Sequence, residues 1–342
     1  MINFRNDYSA GAHPAVLEAL CATNMELTPG YGTDTYCQEA AEAIRALCGA
    51  PEAAVHFFAG GTQVNKTAIG AYLRPWEAVI AAETGHICVH ETGSVEQDGH
   101  KVIHCPASDG KLTAEMVAAV ADGHTDEFMV RPRMVYVSDS TELGTIYTKA
   151  ELTALRRCCD ERGLYLFLDG ARLGSALTAP GNDLTLPDLA ALTDAFYIGG
   201  TKNGALFGEA LVFARPRPDF RWHIKRRGAM FAKGRLLGLQ FQALLENGAY
   251  LDAARHANAL ALRLRDGVAA LGFPLPVESP SNQQFPVFPN EVVSKLQDMG
   301  YEFEVDHAVD SGHTQIRLVT SWATPEQAVE DFLRDLAVCA DR

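Results

Sequence analysis

Basic residues are scarce in this chain. Lys and Arg number 29 against 43 Asp and Glu, for a formal net charge of −14. A nucleic-acid surface needs clustered cations to neutralise phosphates, so no nucleic-acid partner is expected. No apolar run approaches the roughly 20 residues of a membrane span. The opening Met1-Ile2-Asn3-Phe4-Arg5-Asn6-Asp7 carries an early acid and lacks the apolar centre of a signal peptide. A cytoplasmic protein with no membrane partner is the expectation. Eight cysteines occur, at 21, 37, 48, 88, 105, 158, 159 and 339, but never as Cys-x-x-Cys. They read as reduced thiols, mostly in the core. Also missing are a Walker phosphate motif, a Gly-x-Gly-x-x-Gly dinucleotide fingerprint, internal repeats and low-complexity linkers.

What remains is a 342-residue chain with 47% hydrophobic residues, enough for about two domains and a sizeable core. Helical and extended patterns alternate through its first two thirds. Strands are predicted over 55–58, 78–82, 102–105, 134–138, 164–168, 195–198 and 210–214, with helices over 62–72, 113–121 and 149–162 between them. Such alternation predicts an α/β fold with a mostly parallel seven-stranded sheet covered on both faces. Past Phe220 the texture changes. A long helical region over 234–271, broken near Gly248, leads to strands over 285–288 and 315–320 and helices over 291–299 and 325–339. This predicts a large α/β domain with an N-terminal arm over 1–245 and a smaller α+β domain over 246–342.

Three segments carry chemistry. Ala195-Phe196-Tyr197-Ile198-Gly199-Gly200-Thr201-Lys202 reads as a buried strand ending in a lone lysine. Burial favours the neutral amine, the form that condenses with a carbonyl, so Lys202 is a candidate Schiff-base lysine; the alternative is a surface lysine in a glycine turn. Leu164-Tyr165-Leu166-Phe167-Leu168-Asp169-Gly170-Ala171-Arg172 is an unbroken apolar run capped by an aspartate. Ligands of open α/β sheets bind at the carboxyl ends of such strands. A lysine for an aldehyde and a carboxylate for a pyridine nitrogen are what pyridoxal phosphate requires. Asp169 could instead cap a helix or pair with Arg172. The third segment, Val55-His56-Phe57-Phe58-Ala59-Gly60-Gly61-Thr62, reads as strand, glycine turn and helix start, an anion cradle with the Thr62 hydroxyl as an added donor.

With these segments in place, the chain resembles the threonine aldolases of the β-eliminating lyase family, fold-type I pyridoxal phosphate enzymes. The resemblance runs almost end to end. Its motifs are Asn6-Asp7-Tyr8-Ser9, Tyr31-Gly32, Gly60-Gly61-Thr62, Thr84-Gly85-His86-Ile87 with His90-Glu91, Leu168-Asp169-Gly170-Ala171-Arg172, Gly200-Thr201-Lys202 and Ile316-Arg317-Leu318-Val319-Thr320. It implies Lys202 as the Schiff-base lysine, Asp169 as the pyridinium partner and His86 as the residue stacked on the cofactor ring. Gly61, Thr62 and Thr201 would help hold the cofactor. Arg172 and Arg317 would lie near the cofactor hydroxyl and the substrate carboxylate, where a planar fork grips a carboxylate with two bonds. Ser9 would lie at or near an N-terminal substrate contact. Tyr31, Lys225 and Arg227 would reach a neighbouring subunit's site in a homo-oligomer, a dimer or a tetramer.

The implied reaction is cleavage of a β-hydroxy-α-amino acid to glycine and an aldehyde. L-threonine, L-allo-threonine and phenylserine are the candidate substrates. A β-eliminating lyase or an aminotransferase on the same fold is the alternative. Two departures from the family pattern bear on the substrate. Phe128 stands where a second active-site histidine is often found, leaving His86 and His124 as rival bases for the β-hydroxyl proton. Ser138-Asp139-Ser140-Thr141-Glu142-Leu143-Gly144 replaces the usual Glu-Asn-Thr-His-Asn wording. His86, His90 and Glu91 do not match the His-Glu-x-x-His metal pattern, and no metal is expected.

Overall fold

The computed structural model describes residues 2–340. A short β1 (Ile2–Asn3) precedes the seven strands of the main sheet: β2 (Ala54–Phe58), β3 (Glu77–Ala82), β4 (Val102–Cys105), β5 (Arg131–Ser138), β6 (Tyr165–Asp169), β7 (Ala195–Gly199) and β8 (Glu209–Phe213). Their spatial order is β2-β8-β7-β6-β5-β3-β4. β8 runs antiparallel to β2 and β7, and every other pairing is parallel. The sheet is therefore mostly parallel, as the unbroken apolar runs require when both faces are covered.

Alternate residues build two separate cores. Val135, Val137, Leu166, Leu168, Phe196 and Ile198 pack on one face. Met134, Tyr136, Phe167 and Tyr197 pack on the other. Since side chains alternate along a strand, Asp169 falls on the face of Phe167, and Ser138 pairs with it across β5 and β6. Local signals set the covering helices. Thr148 and Glu151 form a reciprocal capping box at the start of the Lys149–Arg162 helix, and Gly163, with φ of 62°, ends it.

The break expected near Gly248 is present. Helix Arg235–Leu245 gives way to a short turn in which Gly248 adopts φ of 77°, and helix Ala249–Ala270 follows. The smaller unit contains β9 (Gln283–Gln284), β10 (Val287–Pro289), β11 (Tyr301–Glu302), β12 (Glu304–Ala308) and β13 (His313–Val319). β10, β12 and β9 all pair antiparallel with β13. One feature departs from the division at 245. β1 pairs with β11, and Phe4 packs with Leu260, Phe288 and Phe332 in the C-terminal core. The chain's first residues thus belong with its last third, and the segment from Asn6 onward crosses from there to the sheet.

Candidate active site

The carboxyl ends of β5, β6 and β7 bring Ser138, Asp169 and Gly199 to one edge of the sheet. A cavity of about 170 Å³ opens there, and its walls include Gly60, Gly61, Thr62, His86, Asp169, Arg172, Thr201 and Lys202. Three segments far apart in sequence thus converge on one space.

Asp169 is buried and held as the anion by several donors. Tyr136 and Asn65 donate to Oδ2, the latter at 2.9 Å, while Tyr197 at 2.5 Å and the Ala171 amide at 3.0 Å donate to Oδ1. Burial alone would raise its pKa. The two phenols, the charge of His86 and the Asn65 amide outweigh burial and hold the carboxyl below its usual range. Tyr136 and Tyr197 escaped the sequence reading. A signal for them existed: each is a tyrosine inside an aliphatic strand, and a buried phenol needs a partner.

Lys202 follows Gly199-Gly200-Thr201 past the end of β7, and among the described residues its amine makes no hydrogen bond or ion pair. Burial and the Arg172 charge lower its pKa, against the pull of Asp7, Asp169 and Glu209. A depressed, unpaired lysine is poised to act as a nucleophile. Glu209 on β8 accepts the Gly200 amide at 3.0 Å, and burial pushes it up to about 8.

His86 opens a short helix beyond β3, with Nδ1 2.8 Å from Glu91 Oε1. Burial disfavours its imidazolium, but the Glu91 bond and the charges of Asp169 and Glu91 win and raise its pKa. Glu91 is itself fixed by Asn65 at 2.8 Å and Ser94 at 2.6 Å, so one amide side chain bridges the histidine's partner and Asp169. Across the cavity, helix Gly61–Tyr72 begins after Gly60 with no side-chain cap, leaving its first amides open to an anion.

The two arginines differ in what they hold. Arg172 gives Nε to Asp7 Oδ2 at 2.7 Å and Nη2 to Oδ1 at 3.1 Å. Asn282 adds a bond to Asp7 at 2.9 Å. Among the described residues Arg317 on β13 has no such partner, and its Nε is buried without a hydrogen bond. An orphaned, buried guanidinium donor is what a missing substrate carboxylate would satisfy.

Other expected residues fall elsewhere. Ser9 is exposed and bonds to Asn6 Oδ1 at 2.9 Å; the N-terminal side chain that reaches the site is Asp7, two residues earlier. His124 lies before the first residue of β5, at the end of the sheet opposite Ser138, with Nδ1 2.7 Å from the Val120 carbonyl. It therefore does not join this chain's own cavity. Tyr31 and Lys225 sit together, the ammonium 5.1 Å from the ring centroid, but away from the Lys202 cavity. Arg227 is turned inward, donating through Nε at 2.9 Å and Nη2 at 2.6 Å to Asp98.

The site's residues fit pyridoxal phosphate: an amine, an ionised carboxylate and an uncapped helix start all line one cavity. Comparison with known proteins agrees. A model of the beta-eliminating lyases matches residues 3–291. The chain belongs to the beta-eliminating lyase family. Within reach of it is a low specificity L-threonine aldolase of a Pseudomonas species, 31% identical over 97% of this chain and 96% of that protein. Among solved structures, a Leishmania major threonine aldolase superposes with a TM-score of 0.98 at 45% identity, covering 99% of this chain and 100% of that one. An aspartate aminotransferase of Thermus thermophilus shares the fold, with a TM-score of 0.74 at 19% identity over 99% of this chain and 91% of that one. The fold-type I architecture expected of a beta-eliminating lyase is the one observed.

Proposed function

We propose that this protein is a pyridoxal phosphate-dependent aldolase that cleaves a β-hydroxy-α-amino acid, of the L-threonine, L-allo-threonine or phenylserine type, to glycine and an aldehyde. The observation that carries this reading is the meeting of Lys202 and ionised Asp169 in one cavity, with the orphaned Arg317 within electrostatic reach of the cavity's Arg172, in a chain 45% identical over nearly its full length to a threonine aldolase. When bound, the cofactor supplies an electron-accepting ring conjugated to the substrate nitrogen.

The chain's residues supply the rest. Lys202, as the neutral amine, would hold the cofactor through its aldehyde. The start of helix Gly61–Tyr72, with Thr62, would hold the phosphate. Asp169 keeps the ring nitrogen protonated, and the tyrosines that anchor Asp169 keep it ionised. Arg317 grips the substrate carboxylate, which limits rotation about the bond to Cα and helps select the bond that breaks. His86, locked by Glu91, supports the ring face.

The remaining expectations belong to the same reading. The enzyme works as a homo-oligomer, a dimer or tetramer, in the cytoplasm, with Tyr31 and Lys225 presented to a neighbouring subunit. No helix among the described residues is long and apolar enough to cross a membrane. Incubation with L-threonine and with phenylserine, followed by product analysis, tests the activity. Glycine and aldehyde in equal amounts are expected. A 2-oxo acid with ammonia would instead indicate β-elimination.

A further inference from the structure

Glu142 is a carboxyl in the cavity wall that none of these roles uses. Its Oε1 accepts the Ser138 hydroxyl at 2.9 Å and the His86 amide at 3.0 Å. Both bonds land on one oxygen, which fixes the carboxyl, and no other residue among those described bonds to Oε2. Glu142 lines the same cavity as Lys202 and Thr62. The groups that face it are His86 and Asp169, with Arg172, Cys88 and Tyr136 also within electrostatic reach.

Retro-aldol cleavage needs a base for the β-hydroxyl, and the other groups are less available. His124 lies at the far end of the sheet. His86 has Nδ1 committed to Glu91, and its ring is needed against the cofactor. Lys202 would be taken up with holding the cofactor. From this placement we propose that Glu142 is the catalytic base, taking the proton of the substrate's β-hydroxyl on Oε2. This rests on the aldolase reading above.

The step balances without a co-reactant. The hydroxyl proton moves to Oε2, and the O–H electron pair becomes the second bond of the aldehyde carbonyl. The Cα–Cβ pair stays with the glycine half. Cα then gains a proton from the Lys202 ammonium, which is replenished from water, and Glu142 releases its own proton to water. Burial and the nearby Asp169 charge raise the Glu142 pKa, against its own amide, Ser138 and His86, and a more basic carboxylate is a better acceptor at neutral pH.

Glycine separates this role from a structural one, because it has no β-hydroxyl. In the cofactor-loaded enzyme, Glu142→Gln is compared with the parent for threonine cleavage and for exchange of the glycine Cα hydrogen with deuterated water. Cleavage should fall about 100-fold or more while glycine exchange stays within about threefold. Glu142→Asp, which keeps a carboxyl, should cleave faster than the Gln variant. Equal losses in both reactions, or unchanged cleavage, would overturn the proposal while leaving the aldolase reading intact. A parent enzyme that exchanges glycine hydrogen but cleaves no β-hydroxy amino acid would overturn the aldolase reading, and this proposal with it.

Discussion

Arg172 and Asp7, 165 residues apart, form a two-point ion pair at the cavity wall, with Nε–Oδ2 at 2.7 Å and Nη2–Oδ1 at 3.1 Å. Both side chains are almost fully removed from solvent. The pair ties the N-terminal segment, which starts in the C-terminal core, to the loop after β6. It also places a carboxylate near Lys202.

Replacing Asp7 with Ala leaves the Arg172 charge buried and unpaired, a loss of about 3–5 kcal/mol in denaturant unfolding. The pH dependence follows from the sign of the shift. Burial alone would raise the Asp7 pKa, but Arg172, Lys202 and Asn282 bring it below the usual carboxylate range. The unfolded chain therefore binds the proton first as pH falls. The stabilisation is complete above the unfolded pKa and drains away as pH drops through the folded one. Unfolding curves of the Ala variant should show a shallower loss of stability in that acid range than those of the parent.

Arg317→Lys keeps the charge and loses the planar fork. With charge-assisted bonds worth about 1.5–3 kcal/mol, kcat/KM for threonine should fall roughly 10- to 100-fold. Cofactor binding, followed by its visible absorbance, should be unchanged. A variant with normal kcat/KM would place the substrate carboxylate elsewhere.

Gly61→Ala should loosen the cofactor. A Cβ at Gly61 would lie 2.8 Å from the Tyr197 hydroxyl, which donates to Asp169. Because the phenol is rigid and buried, the contact is relieved by shifting either the helix start or the hold on Asp169. Cofactor affinity measured by dialysis should weaken by about tenfold or more, the loss of one hydrogen bond. Unaltered affinity would mean that the turn yields without disturbing either.

Much of this architecture was legible because strong local signals agreed with the global fold. All seven main strands were marked by apolar runs, and Gly248 marked the helix break. Lys202 and Asp169 stood out as lone charges at the ends of such runs. β12 gave no such signal, since every residue of Glu304–Ala308 is exposed and no buried period exists to read. The Asp7–Arg172 pair and the Glu142 contacts were not legible for another reason. They join segments whose proximity depends on tertiary packing, and neither side chain is unusual in its own sequence neighbourhood. His124 is a residue that precedes β5, whereas the cavity opens at the other end of that strand, a relation that shows only once the cavity is located.

The most direct measurement is to reduce the cofactor-loaded enzyme with borohydride, which makes the lysine–cofactor bond permanent, and to map the added mass by peptide analysis. The mass is expected on the peptide carrying Lys202, and Lys202→Ala should abolish both that label and the visible absorbance of the lysine-bound cofactor. A label on any other lysine, or near-normal cleavage by the Ala variant, would contradict the site built around Lys202 and Asp169.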